Sequence, residues 1–369
     1  MGRSFEPGAL RGLNVVDLSR VLAGPLCAQI LADHGAEVLK VEPPEGDETR
    51  RFGPSFDENG LSAYFRGINR NKRVMALDLR APAGREVLLR LVEGADVLIE
   101  NFLPGVMEKW ELGYEQVLAP RFPRLVYCRI TGFGADGPLG GRPGYDAVAQ
   151  ALCGLMSVNG FPACGPPRVG VPVVDIASGM NAAIGILLAL AERTGSGRGQ
   201  MVESTLYDSG LALLHPQASN WIVGGAEPGL LGNAHSNISP YDTYAGADGV
   251  MFLGVVSHAQ FVRFCEVVGR AELAGDPRFA GNAQRLAHRA ELRAALEAAL
   301  AGESVGPLCE RLMAAGVPAG TVQSVPQALS HPHTAHRGMV VSLEGYRAVG
   351  PPQKLSRTPA KVRQAPRAF

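Results

Sequence analysis

The feature that most constrains this chain is the alternation of short β-like runs with helical patterns along its first half. Leu13–Leu18 (LNVVDL) reads as a strand, Pro25–His34 as a helix and Glu37–Val41 as a second strand. Arg73–Leu79 is strand-like, Ala83–Glu93 helical and Ala95–Glu100 a strand again. Met107–Leu112 begins a short helical stretch, and Arg124–Ile130 (RLVYCRI) is the next strand. Strand and helix in strict succession predict an α/β fold, with a mostly parallel sheet flanked by helices. The 369 residues suffice for two domains or one unusually large one. With 46% hydrophobic and 19% charged residues, a sizeable core can be buried.

Further along, Gly154–Pro172 is rich in Gly and Pro and reads as a loop. Val171–Val174 is a short apolar run that reads as a strand ending at Asp175. The turn Ile176-Ala177-Ser178-Gly179 then leads into a helix, Gly179–Glu192. That helix is apolar on nearly every face, which predicts burial all round. Gln200–Thr205 resumes β character, and Asn220–Asp248 shifts to Gly, Pro, Asn and His, suggesting a linker into a second domain. Gly249–Val255 resembles a strand, His258–Gly269 an amphipathic helix, and Asp276–Gly302 is helical in composition. Ala314–Val322 reads as a turn and strand, and Ser324–Phe369 as a loop-rich return to the first domain.

Lys+Arg and Asp+Glu are equal at 35 each. This balance argues against a dedicated nucleic-acid binder or a membrane-surface protein. No uninterrupted apolar run reaches the ~18 residues of a membrane span, and the first twenty residues lack the apolar core of a signal peptide. None of the six cysteines forms a C-x-x-C pair, so reduced thiols in a cytoplasmic protein are expected. His331, His333 and His336 cluster without a Cys or carboxylate partner and read as a surface loop, so no metal is expected.

Gly132–Gly137 matches G-x-G-x-x-G, but Pro138, Gly140, Gly141 and Pro143 follow where a helix would have to begin. A phosphate cradle needs that helix N-terminus, so the segment reads as a flexible turn. Asp175 carries more information, because ligands in open α/β folds sit beyond the carboxyl ends of strands. From the residues alone, Asp175 or Ser178 reads as a helix cap.

Nine blocks in order change that reading. They are Arg20–Pro25 (RVLAGP), Gly35–Glu42, Asn69–Leu79 (NRNKRVMALDL), Glu100-Asn101-Phe102 with Pro104-Gly105, and Gly144-Tyr145-Asp146. Val174–Gly179 (VDIASG), Gly197–Gln200, Gly316-Val317-Pro318 and Leu355–Pro359 (LSRTP) complete the series. Together they resemble the class III CoA-transferase family of CaiB/BaiF type. That family is related to formyl-CoA transferase, succinyl-CoA:dicarboxylate CoA-transferases and α-methylacyl-CoA racemase. The resemblance implies a Rossmann-like large domain over residues 1–200, completed by about residues 325–369. It further implies a linker at 201–225, a smaller α+β domain at 226–324, and an interlocked homodimer.

The resemblance implies that Asp175 is the catalytic carboxylate, forming a mixed anhydride with the acyl group and then a thioester with CoA. Arg20, Val21, Leu22, Ala23, Leu77, Arg80, Asn101, Phe102, Lys109, Tyr145 and Asp146 are the implied CoA contacts. Coenzyme A would be a substrate, with no permanently bound cofactor. Arg50 or Arg51 is expected to replace a phosphate contact that relatives make where Pro43 stands here. Gly224, Gly225 and Gly232 are candidates for an oxyanion-binding loop.

Racemases of the family carry His where Tyr145 stands and Glu in the segment containing Ser257. A phenol with an ordinary pKa of ~10 replaces imidazole poorly as a proton relay near neutrality. The pair therefore favours acyl transfer over racemisation, the alternatives being a racemase-like isomerase or an inactive CoA-binding paralogue. Arg20–Pro25, Gly144–Gln150 and Asn233–Tyr241 look most like the branch acting on succinyl-CoA and other dicarboxylates. Arg168, His235 or Asn237 would then anchor the second carboxylate.

Overall fold

The structure is a computed structural model and describes residues 8–368. Residues 1–7 and Phe369, which belong to the N-terminal and C-terminal segments discussed above, lie outside it. The chain divides into two compact units.

The first unit comprises residues 8–155, Val169–Leu213 and residues 331–368. Six strands form its sheet: β1 (Asn14–Asp17), β2 (Glu37–Glu42), β3 (Lys72–Ala76), β4 (Val97–Glu100), β5 (Val126–Thr131) and β6 (Met201–Thr205). Their order is β3-β2-β1-β4-β5-β6, and every neighbouring pair is parallel. This is the doubly wound order in which connectivity reverses between β1 and β4. In β1 and β4, alternate residues serve opposite faces, as the pleat requires. Val15, Val97 and Ile99 pack with Cys27 and Leu31 of α1 (Ala23–Asp33). Val16 and Leu98 pack on the other face with Leu88 and Val92 of α2 (Pro82–Glu93).

Two further helices matter for the site: α3 (Asp146–Leu152) and α4 (Val173–Ser196). The second corrects the sequence reading in two ways. Val171–Val174 is not a strand, because the helix already begins at Val173, behind Pro172 at its N-cap, and Asp175 lies in its first turn. Nor is α4 buried all round. Ala182, Ala183, Ile186 and Ala189 join the core beneath the sheet, whereas Met180, Ile184, Leu187 and Leu188 are 46%, 54%, 41% and 66% exposed. By length and composition α4 could cross a membrane. It is instead packed along one face against α1, with Gly179 allowing the approach: a Cβ there would meet the Ala23 carbonyl oxygen at 2.5 Å.

Residues 201–225, read above as a linker, carry β6, α5 (Leu206–Ala212) and α6 (Gln217–Gly224). The C-terminal residues return to the first unit. Asn71, beside β3, accepts the backbone N–H groups of Arg363 and Gln364 at 2.6 and 3.0 Å.

The second unit comprises Met156–Arg168 and Leu214–Ser330. Its sheet is antiparallel, in the order β7 (Tyr241–Ala245), β8 (Val250–Gly254), β9 (Ala319–Thr321). Three helices pack around Met251 and Leu253: α7 (His258–Val267), α8 (Arg289–Leu300) and α9 (Val305–Ala314). Each offers an apolar stripe at helical spacing, such as Leu292, Leu296 and Leu300 on α8. Ser257 is committed to structure here. It caps α7, accepting the Gln260 N–H, while the Gln260 side chain returns to the Ser257 N–H.

Candidate active site

In a doubly wound sheet the natural crevice opens beyond the carboxyl ends of the strands, where the order reverses. Here the segments after β1 and β4 meet at that point. Asn101 accepts the backbone N–H of Arg20 at 2.8 Å and donates to the Arg20 carbonyl at 2.7 Å. The Arg20 guanidinium lies 5.2 Å from the Phe102 ring centre. Val21 follows with φ +66°, a left-handed conformation that a β-branched residue adopts only when its surroundings impose it. Immediately beyond, α1 begins with no side-chain cap, leaving its first N–H groups without the usual hydroxyl or carboxylate acceptor.

A cleft of about 260 Å³ opens at this place. Arg20, Val21, Leu22, Ala23, Asn101, Phe102, Tyr145 and Asp175 all line it, so most of the residues singled out by sequence converge. A neighbouring cleft of about 160 Å³ shares Arg20 and Phe102 and adds Leu77, Arg80 and Trp110. Arg80 is well exposed and pairs with Asp78 at 2.8 Å. Lys109 is exposed on the short helix Val106–Lys109 and lines neither cleft.

Asp146 sits behind Asp175. Although it begins α3, its carboxylate caps α4: Oδ1 accepts the N–H of Val174 at 2.9 Å and of Asp175 at 3.2 Å. Oδ2 takes 2.7 Å from Gln150, whose own amide oxygen accepts the Val169 N–H at 2.8 Å. Asp175 therefore does not cap its helix, and neither does Ser178, whose hydroxyl donates to the Val174 carbonyl at 2.8 Å. Among the described residues no donor reaches the Asp175 carboxylate. Burial, reinforced by the Asp146 charge, pushes its pKa up to about 7. The phenol of Tyr64 is pushed to about 12 by burial and by the charges of Asp175, Asp146 and Asp47. Sequence reading missed Tyr64, which lies in no recognisable motif, and the Gly144–Gln150 block took in Gln150 without giving it this role.

Arg50 is buried and makes a two-pronged bond to Glu42 at 2.7 and 2.8 Å, so it does not replace a phosphate contact. Arg51 is exposed and donates to the Glu45 carbonyl. Gly132–Gly137 is a loop after β5, with no helix before α3. Arg168, His235, Asn237, Gly224, Gly225 and Gly232 belong to the second unit. Gly225 terminates α6 at φ +67°, and Asn237 exchanges two hydrogen bonds with Asn220 at 2.9 and 3.0 Å. His331 caps the short helix Pro332–His336, on which His333 and His336 stack.

Beneath the β1 loop lies a buried charge network. Lys72 meets Asp17 at 3.0 Å and Lys40 meets Asp47 at 3.0 Å, with all four side chains sealed from solvent. Burial opposes the charge on Asp17, but Lys72, Lys40 and Ser19 together hold its carboxyl below the ordinary value. Burial pushes Lys72 down to about 8.

The chain is 41% identical to a succinate–glutarate CoA-transferase of Agrobacterium fabrum, over 91% of this chain and 85% of that protein. It is 38% identical to an acetyl-CoA:oxalate CoA-transferase of Acetobacter aceti, over 95% and 90% respectively. A CAIB/BAIF family protein from Brucella suis superposes with a TM-score of 0.87 at 40% identity, covering 98% of this chain and 97% of its own. Residues 10–368 match the family described as CoA-transferase family III. On the strength of that match and of these relatives, this chain belongs to CoA-transferase family III.

Proposed function

We propose that this protein moves CoA from an acyl-CoA donor to a free carboxylic acid, with Asp175 as the covalent carrier. The observation that carries this reading is the state of Asp175: a half-buried carboxylate in a strand-end cleft, with no donor on its oxygens among the described residues. Such a carboxylate is poorly solvated, and its lone pairs are free to attack. An Asp175 oxygen adds to the thioester carbonyl, the C–S bond breaks, and CoA leaves as thiolate. The product is an anhydride between Asp175 and the acyl group. The thiolate then attacks the Asp175 carbonyl, releasing the donor acid and leaving CoA as a thioester on Asp175. An acceptor carboxylate opens that thioester to a second anhydride, and the released thiolate attacks the acceptor's acyl carbon. Acceptor acyl-CoA departs and Asp175 is restored. No electron or net proton is exchanged, and the thioester energy is retained only while water is excluded.

The CoA moiety is assigned to the two clefts that share Arg20 and Phe102. Leu77 and Trp110 offer apolar walls for the adenine, while Arg80 and the uncapped start of α1 offer positive potential for its phosphates. Asp146 acts through Asp175, and Tyr145 forms part of the wall beside it.

The acids are proposed to be dicarboxylic, as in the relatives named for succinate, glutarate and oxalate. A second carboxylate needs a cationic anchor; Arg142, on the wall of the Asp175 cleft, supplies one. We further propose a homodimer, in which a second copy covers the exposed apolar stripe of α4. The six free cysteines are consistent with a reducing cytoplasm.

Mass spectrometry of the protein incubated with succinyl-CoA tests the mechanism. The expected result is a covalent adduct on Asp175 that is absent from Asp175→Ala. Exchange of the donor's α-proton in deuterated water, with no acceptor acid and no adduct, would instead identify an isomerase. Equal turnover of monocarboxylic acceptors would sink the choice of acids.

A further inference from the structure

The Ser19–Pro25 segment is held at both ends and again at its second residue. Lys40 Nζ donates to the Ser19 carbonyl at 2.7 Å, and Lys72 Nζ donates to the Pro25 carbonyl at 2.8 Å. Between them, Asn101 holds both backbone groups of Arg20. Asp17 accepts the Ser19 N–H at 3.0 Å and pairs with Lys72, which takes a third bond to Asn69 at 2.9 Å. Inside this frame Val21 keeps its left-handed backbone and α1 starts without a cap.

Two fully buried ammonium groups are an expensive way to stabilise a fold. Apolar side chains of similar size would usually serve as well or better, because each charge must be stripped of water. What apolar side chains cannot do is bind a carbonyl oxygen. Both lysines spend a hydrogen bond on the two ends of the same seven-residue segment, and that segment forms part of the cleft wall.

We propose that Lys40 and Lys72 are positioning residues for acyl-CoA binding. They fix the Ser19–Pro25 segment, before ligand arrives, in the strained shape that presents Arg20–Ala23 and the start of α1. The proposal rests on reading this cleft as the CoA site, and it adds the device that keeps the cleft in shape. Neither lysine lines either cleft, so their effect on the ligand passes through the segment they hold.

The test uses the full chain and free coenzyme A. Calorimetric titration is expected to show Kd rising at least tenfold in Lys72→Met and in Lys40→Met, at a temperature where circular dichroism shows them folded. KM for acyl-CoA should rise in parallel, with a smaller fall in kcat. Hydrogen exchange at residues 19–24 should be slow in the wild type without CoA, fast in the variants, and slow again with excess CoA. An unchanged Kd in a folded variant overturns the proposal. So does a wild-type segment that exchanges fast until CoA is added, a result that stands even if neither variant folds. A wild type that binds no CoA sinks the functional reading instead, and the exchange of its ligand-free segment still reports whether it is preformed.

Discussion

Asp146 accepts the backbone N–H of Asp175 at 3.2 Å while its charge opposes ionisation of the Asp175 side chain. One carboxylate thus fixes the other in place and makes it harder to charge. The first effect anchors the start of α4 against α3. The second, added to burial, brings the Asp175 pKa to about 7.

A nucleophilic carboxylate works only when ionised, so adduct formation on Asp175 should follow that titration. The rate is expected to rise from about pH 5 to about pH 8, with a midpoint near the pKa. Stopped-flow measurement of CoA release over this range checks it. A rate already flat from the acid end would remove Asp175 as the titrating nucleophile.

Asp146→Asn keeps an oxygen for the two N–H groups but loses the charge. The midpoint of the pH profile should move to lower pH, and the rate at pH 6 should rise severalfold, since one pKa unit corresponds to about tenfold. Asp146→Ala loses the cap as well and should be destabilised by about 1–2 kcal/mol. Both shifts are readable from pH–rate curves and thermal melts of the same preparations.

The raised pKa also has a stability consequence. The folded chain keeps a proton on Asp175 up to about 7, whereas the unfolded chain releases it near the ordinary value of 3.8. Folding stability attributable to this group is therefore lost as pH rises through that window. Asp175→Asn, which cannot ionise, should melt above the wild type at pH 8 and level with it at pH 4. The expected gain is about 1–2 kcal/mol, less than the full shift implies, because the cleft is open to water. Identical melting differences at the two pH values would contradict it.

Gly179→Val places a methyl-bearing Cβ where the Ala23 carbonyl oxygen already stands, 2.5 Å away. Backbone cannot yield as a flexible side chain would, so α4 must move off α1. A loss of about 1–3 kcal/mol is expected, together with weaker CoA binding as the start of α1 shifts. A melt and a titration matching the wild type would show that the two helices are less tightly coupled than this contact indicates.

The exposed stripe on α4 should be covered in a dimer. Ile184→Glu combined with Leu188→Glu is expected to give monomers in analytical ultracentrifugation where the wild type sediments as dimers. A wild type that is monomeric at micromolar concentration would end the proposal.

Much of the first unit was legible in sequence because parallel strands buried on both faces read as mainly apolar runs, as in the VLI of β4 and the VYC of β5. The start of α4 was not. Val171–Val174 is too short for periodicity to separate strand from helix, and Pro172 decides the matter by ending the extended segment. The cap on α4 could not be read locally either, since Asp146 lies 28 residues before Val174. Lys40 and Lys72 look like surface lysines along the chain, and only the three-dimensional meeting with Asp17 and Asp47 makes them interior. The family resemblance pointed to Asp175, Arg20 and Asn101 and included Gln150 in one of its blocks; it gave no hint of Tyr64, which approaches the two carboxylates only through space.

Because the strand order reverses between β1 and β4, the crevice is assembled from loops that leave separate strands. Each loop can lengthen or change composition without altering the registers that hold the sheet together. The stretch from Gly132 to Gly144, between β5 and α3, touches the cleft yet contributes no strand or helix of its own. It is the natural segment to exchange when retuning which acid is accepted. The proposed carrier on α4 and the lysine frame under the β1 loop can stay as they are, so chemistry and selectivity are free to evolve on separate parts of the same scaffold.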